Sequence, residues 1–400
     1  MWVRRLTSVI ALAAALLPGV ALPPADAAPA RRIDYTVWDA PAQLRAGTLD
    51  ALRVGAGRLA LETGTDTGRW TSPWTRPGFA ATRLIASWSA RTPGDSSIRV
   101  EVRGRSGTSR SSWDTLAQWA AGDRFTRRTT DSGQSDDLGS VNVDTWEVPG
   151  GVTAYQLRVT LVRAVGQAKS PTVDSVGAMT SLLPDTSDVT TSRPGVARGI
   201  VLDVPRYSQM VHRGHYPRYG GGGEAWCSPT STSMVLGYYG ALPPAAAYSW
   251  VPEGHVDPWV DHAARMTYDY DYAGAGNWPF NTAYAASLTD QAFVTRLRSL
   301  REAERFIAAG IPLVASIAFG RGELTGAPIS SSAGHLLVIV GFTDAGDVVV
   351  NDPAAATRSG VRRTYDRGEF ENAWIPASGG TVYVITDDAH PLPANSPGNW

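Results

Sequence analysis

Ile98, Val100 and Val102 alternate with Arg99, Glu101 and Arg103, and Tyr155, Leu157, Val159 and Leu161 alternate with Gln156, Arg158 and Thr160. A period of two places every second side chain on one face of an extended strand, a pattern that no helix buries. Turn clusters separate such runs, among them Thr92-Pro93-Gly94-Asp95 and Pro149-Gly150-Gly151. Long amphipathic helices are not evident. Residues 33–183 are therefore predicted to form an all-β sandwich or jelly-roll domain. The region holds Trp38, Trp70, Trp74, Trp88, Trp113, Trp119 and Trp146. Aromatic residues favour strands and bury large areas, so core filling is the first reading of these rings. Any that are exposed could stack on sugars, which makes a cell-wall glycan the partner to consider for this module.

The alternation stops at a polar stretch with two prolines, Pro184 to Gly199, which reads as a linker. Beyond it, residues 200–388 change character. A helix is predicted from Cys227 to its stop at Gly240, and a second from the Asp257-Pro258 start through Met266. A third is predicted over Asp290–Ala309, ended by Gly310. Strands follow at Pro312–Phe319, His335–Thr343, Asp347–Asn351 and Thr381–Ile385. Helices followed by a largely antiparallel sheet make an α+β order.

The N-terminus bears export signals: Arg4 and Arg5, an apolar stretch from Leu6 to Leu17, and a small-residue cleavage signature at Ala25-Asp26-Ala27. Residues 1–27 are thus expected to be a signal peptide and the mature protein to be secreted, and wall-associated if the β module binds glycan. The apolar stretch is shorter than the roughly 20 residues a bilayer span needs, and no later segment is long and apolar enough. A formal net charge of −1 argues for neither nucleic acid nor an anionic membrane as partner.

Cys227 is the single cysteine of the chain. In an oxidising compartment cysteines normally pair. An unpaired one is a buried inert thiol, half of an intermolecular bridge, or a nucleophile. A thiol at a helix N-terminus feels the positive end of the helix dipole and free N–H groups, which stabilise thiolate. That placement alone leaves a buried thiol and a nucleophile equally open. Downstream, Gly334-His335 opens an apolar strand, and Asn351-Asp352-Pro353 ends the next, across a turn at Asp344–Asp347. A hairpin of that length can bring His335 near Asp352, the relation of a base to its orienting group. A histidine at a strand start is more often structural when it stands alone. His212 and His215 with Cys227 fit no standard zinc spacing, so no metal and no cofactor are expected. His255, His262 and His390 have no evident partners in the sequence.

The motifs Tyr207-Ser208-Gln209, Trp226-Cys227-Ser228-Pro229-Thr230-Ser231, Gly334-His335 to Gly341-Phe342, and Asn351-Asp352-Pro353 resemble those of the bacteriocin-leader-processing peptidases and their secreted C39-like relatives. These belong to the papain-like cysteine peptidase superfamily, and the resemblance covers about residues 200–388. It implies a papain-like domain in which Cys227 is the nucleophile and His335 the general base and acid. It further implies that Asp352 orients the imidazole and that Gln209 donates to the oxyanion. The implied activity is thiol-dependent hydrolysis of an extracellular protein or peptide. The alternatives are a glycan-binding protein with a vestigial peptidase domain and a cysteine acyltransferase.

Two features depart from the family pattern. Ser228 stands where a glycine is common, and His212 to Gly223 lengthens the Gln-to-Cys segment. The glycine run at its end, Tyr219 to Glu224, reads equally as a substrate loop or a plain surface loop. Gly274 to Asn281 is a turn-rich aromatic loop that could line the cleft. Transporter-linked members cut after a double glycine. Without membrane spans or a nucleotide-binding loop, that specificity is not expected here.

Overall fold

A computed structural model describes residues 30–135, 137–185, 189–395 and 398–400. The expected signal peptide therefore lies outside the described residues, as do three positions of the expected linker. Residues Arg31–Trp400 form one compact unit. Among the described residues, no helix is long and apolar enough to cross a membrane.

From Arg32 to Leu182 the described elements are strands apart from one short helix, Pro41–Arg45. The strands make a seven-stranded and a six-stranded antiparallel sheet. The two alternating runs sit on Ser96–Ser106 and Ala154–Arg163, which are direct neighbours, pairing Ile98 with Leu161, Val100 with Val159, and Val102 with Leu157. The matched periods put both apolar sets on one buried face. Five of the seven tryptophans are buried: Trp38, Trp70, Trp88, Trp119 and Trp146. Trp74 and Trp113 are half-buried beneath guanidinium groups, Arg105 lying 4.5 Å from the Trp74 ring and Arg158 4.1 Å from that of Trp113. Pro149 to Gly151, expected as a turn, instead lies in the strand Thr145–Val152, whose register with Ala81–Arg91 shifts between Glu147 and Val152.

From residue 200 on, the main elements are α1 (Cys227–Tyr238), α2 (Pro258–Thr267), α3 (Trp278–Ala286), β1 (Gln291–Arg296), α4 (Leu300–Ala308), β2 (Leu313–Phe319), β3 (Ser332–Phe342), β4 (Val348–Asn351), β5 (Arg362–Tyr365), α5 (Arg367–Ser378) and β6 (Thr381–Thr386). The strands form one antiparallel sheet in the order β1-β6-β2-β3-β4-β5. The expected helix over Asp290–Ala309 is corrected: its first part is β1, and helix begins only after Ser299. Phe293, Val294 and Thr295 suit a pleated surface, and β6 pairs with the whole of β1, so tertiary pairing overrides the local helical pattern. Helix α3 replaces part of the expected aromatic loop, with Asn277 as its N-cap accepting from the Phe280 N–H at 3.0 Å.

The β-rich part and the later elements share a core. Phe280 of α3 packs edge-on to Trp88 at 6.2 Å and tilted to Trp119 at 5.4 Å, and Tyr35 stacks on Phe293 at 4.5 Å. Polar contacts add to this: both oxygens of Asp123 accept from Arg265 at 2.9 Å, and Asp269 accepts from the Thr130 hydroxyl at 2.9 Å.

Candidate functional site

Helix α1 is buried from Ser228 to Leu236, which small hydroxyl residues in its first turns make possible. The hydroxyl of Ser231 donates to the Leu336 carbonyl of β3 at 3.1 Å, tying the start of the helix to the histidine strand. Ser228 is 2.9 Å from the Tyr383 hydroxyl on β6. A glycine there would lack this tie, so the serine in its place has a local partner.

The β3–β4 hairpin carries the other two groups. Nε2 of His335 lies 2.8 Å from Oδ1 of Asp352 just past the end of β4. With Nε2 engaged there, Nδ1 is the nitrogen left to face Cys227, which lies near enough for His335 to shift the thiol's pKa. Asp352 also accepts from the Ala354 N–H at 3.0 Å on Oδ1 and from the Tyr365 hydroxyl at 2.7 Å on Oδ2. His335 and Asp352 are buried, and Cys227 remains partly open.

Burial alone raises the Cys227 thiol, but the hydrogen bond and charge of His335, with help from the backbone at Leu336 and Ser228, outweigh it and move its pKa down. Burial also works against the imidazolium. Here the charge and hydrogen bond of Asp352, followed by those of Cys227, prevail and raise His335 to about 10. For Asp352 desolvation is again outweighed, first by His335 and then by Tyr365, so its pKa is lowered. All three shifts favour a thiolate–imidazolium–carboxylate chain at neutral pH.

Gln209 begins a short 3-10 helix and lines the same cleft as Cys227 and His335. Its N–H donates to the Pro353 carbonyl at 2.9 Å, and Ser208 donates to the Ala355 carbonyl at 2.5 Å, so this motif is stitched to the loop after Asp352. The Gln209 side chain donates to the Glu224 carbonyl at 2.5 Å, so the last turn of the long insertion buttresses it. One of its two amide hydrogens is left for another acceptor.

The cleft measures about 900 Å³. One wall comes from the β-rich part, including Arg83, Asn142, Asp144 and Glu147, and another from Gly274 to Gly276 and Trp278. The Trp278 N–H donates to Asp144 at 3.0 Å and thereby holds the Asn142–Thr145 turn to α3. Burial raises Asp144 to about 6.

Tyr365 is a site residue that motif reasoning missed. It closes β5, and only sheet pairing brings it to Asp352; in the chain it is one tyrosine among 14. Tyr365→Phe leaves a buried carboxylate oxygen without its hydroxyl donor. The expected cost is about 1.5–3 kcal/mol at pH 7. The Asp352 pKa, depressed in the folded state, moves back up, so acid unfolding of the variant begins at higher pH. Acid titration followed by circular dichroism reads this shift, and superimposable curves would show that the hydroxyl does not support Asp352.

Residues 34–181 match the family model described as Peptidase C39 N-terminal domain, and residues 201–382 match the Peptidase_C39 like family. Among solved structures, a Bacillus anthracis protein assigned as a C39-like peptidase is similar at 15% identity and a TM-score of 0.30, over 47% of this chain and 98% of that one. That likeness is too slight to build on. No curated protein matches the chain.

Proposed function

This chain belongs to the C39-like peptidases, and from that premise we propose that it is a cysteine peptidase using Cys227, His335, Asp352 and Gln209. The family implies a protein or peptide substrate. The observation that carries the assignment of residues is the buried His335–Asp352 hydrogen bond with the partly open Cys227 beside it on the cleft.

In this reading the Cys227 thiolate attacks the scissile carbonyl carbon and forms an S–C bond. The oxyanion takes the N–H of Cys227, which as the first helical residue has no intrahelical partner, and the remaining amide hydrogen of Gln209. The Nδ1–H of His335 protonates the amine nitrogen as the C–N bond breaks, leaving a thioester. Water, losing its proton to Nδ1, attacks that thioester. The acid product leaves and the thiolate–imidazolium pair returns. Asp352 keeps the ring oriented throughout and stabilises its charged form.

The proposal includes a papain-like arrangement, with the nucleophile at the head of a buried helix and the base and carboxylate on an antiparallel sheet. It includes a division into a β module over residues 33–183 and a peptidase domain over 200–388, joined by 184–199. The module contributes Arg83, Asn142, Asp144 and Glu147 to the cleft, which favours a part in holding substrate over a separate glycan-binding role. Export through residues 1–27 completes the reading.

Alkylation of Cys227 by iodoacetamide across pH tests the proposal. The parent is expected to react at pH values well below the ordinary thiol pKa of about 8.5, and His335→Ala to need a more alkaline medium. A parent profile like that of free cysteine, unmoved by the substitution, would count decisively against a catalytic pair.

A further inference from the structure

A second cluster of chemistry-bearing side chains lies beside the site, where His212 packs 6.1 Å from the ring of Trp226, the residue before Cys227. Asp261 of α2 is fully buried, and three imidazoles turn their Nδ1 atoms toward it. His212 Nδ1 is 2.9 Å from Oδ2, His215 Nδ1 is 2.9 Å from Oδ1, and His255 Nδ1 is 3.5 Å from Oδ1. The ligand atoms of His212, His215 and Asp261 all fall within 4.8 Å of one another. We propose that His212, His215, His255 and Asp261 form a binding site for a divalent transition-metal ion of the zinc class, which pins the insertion following Gln209 to α2.

Hydrogen bonding alone does not account for the third imidazole. His212 and His215 each supply one N–H to a separate carboxylate oxygen. His255 Nδ1 is shielded from solvent, has no hydrogen-bond partner, and still points at the same carboxylate. Its ring stacks face to face on His215, with centroids 3.8 Å apart at 24°, which holds it at the edge of the cluster. Three imidazoles and a carboxylate are a donor set suited to zinc and its neighbours. A tetrahedral ion with bonds of about 2.0–2.1 Å holds its ligand atoms roughly 3.3 Å apart. The ligand atoms of His212, His215 and Asp261 lie within 4.8 Å of one another and close on one ion by small side-chain rotations. His255, 3.5 Å from Oδ1 and outside that group of three, joins as the fourth ligand by turning off the His215 ring.

The surrounding chain is built to hold these residues. A β-carbon on Gly223 would come within 2.3 Å of the His212 carbonyl, so only glycine lets this turn wrap over the histidine. Gly220, Gly221 and Gly222 all have positive φ, which shapes the turn before it. The glycine run is thereby assigned to enclosing His212 and His215. Sequence spacing gave no zinc pattern because the remaining ligands, His255 and Asp261, are brought in by the loop before α2 and by α2 itself.

Titration of the full chain with Zn²⁺ and Co²⁺ after chelator treatment tests this. A Cys227→Ala background removes the thiol of the neighbouring pair as a competing ligand. One equivalent is expected to bind, with the visible absorption of tetrahedral Co²⁺ and a rise in melting temperature on adding Zn²⁺. In the same background, His255→Ala, at a partly exposed loop position, and His215→Ala should each weaken binding by about tenfold or more and abolish the Co²⁺ band. Absence of stoichiometric binding overturns the site, as does binding that survives both substitutions unchanged.

Discussion

Cys227→Ser is expected to lower kcat/KM for peptide hydrolysis by roughly 10⁴-fold or more, with the fold retained. A serine hydroxyl is nearly the same size but far less acidic, so it cannot form the ion pair that lowers Cys227 and raises His335. In the parent, activity should rise as the thiolate forms, at a pH below the ordinary thiol range. It should persist until His335 loses its proton at about 10. Both limbs belong to the coupled pair and not to either residue alone.

The same shifts make the stability of the fold pH-dependent. The His335 contribution is complete below its unfolded pKa of about 6.5 and disappears as pH rises through its folded value. That of Asp352 is present above about 3.9 and disappears as pH falls through its lowered folded value. Hydrolysis of a fluorogenic casein digest by both proteins is the direct measurement. Activity of the serine variant within tenfold of the parent would remove Cys227 from the mechanism.

Phe280→Ala should have the largest effect on stability, about 3–5 kcal/mol. Phe280 is fully buried on α3 and meets Trp88 and Trp119 of the β-rich part at once. Truncating it opens a cavity where two sets of rigid elements meet, leaving few small side chains able to collapse into it. The same helix holds Asp144 through the Trp278 N–H, so the cleft wall should loosen as well, raising KM more than it lowers kcat. Urea unfolding and steady-state kinetics measure the two effects. A loss below about 1 kcal/mol would mean that this contact does not join the two parts.

Much of the candidate site could be read from local signals. The helix start at Cys227, the apolar strand that carries His335 and the strand end just before Asp352 each carry their own pattern, and one hairpin turn relates the last two. Tyr365 could not be read this way, because its link to Asp352 runs through the pairing of β4 with β5. Nor could the partner of His212 and His215, since Asp261 lies 46 residues beyond His215 in the chain. The helix expected over Asp290–Ala309 failed for a related reason: β1 is extended because β6, some 90 residues later, pairs along its length.

What the chain determined by itself was periodicity and punctuation: two strands of alternating character, a helix headed by the lone cysteine, and a hairpin with histidine and aspartate at one end. These depend on interactions between residues close in sequence or on the two-residue repeat of a strand, which any reader of the chain can follow. Tertiary structure decided the rest. It made the β-rich part a wall of the cleft, gave Ser228 and Asp352 their tyrosines, and gathered three histidines around one buried carboxylate. Such contacts arise when distant segments bury a common surface, and no local pattern records which surfaces will meet.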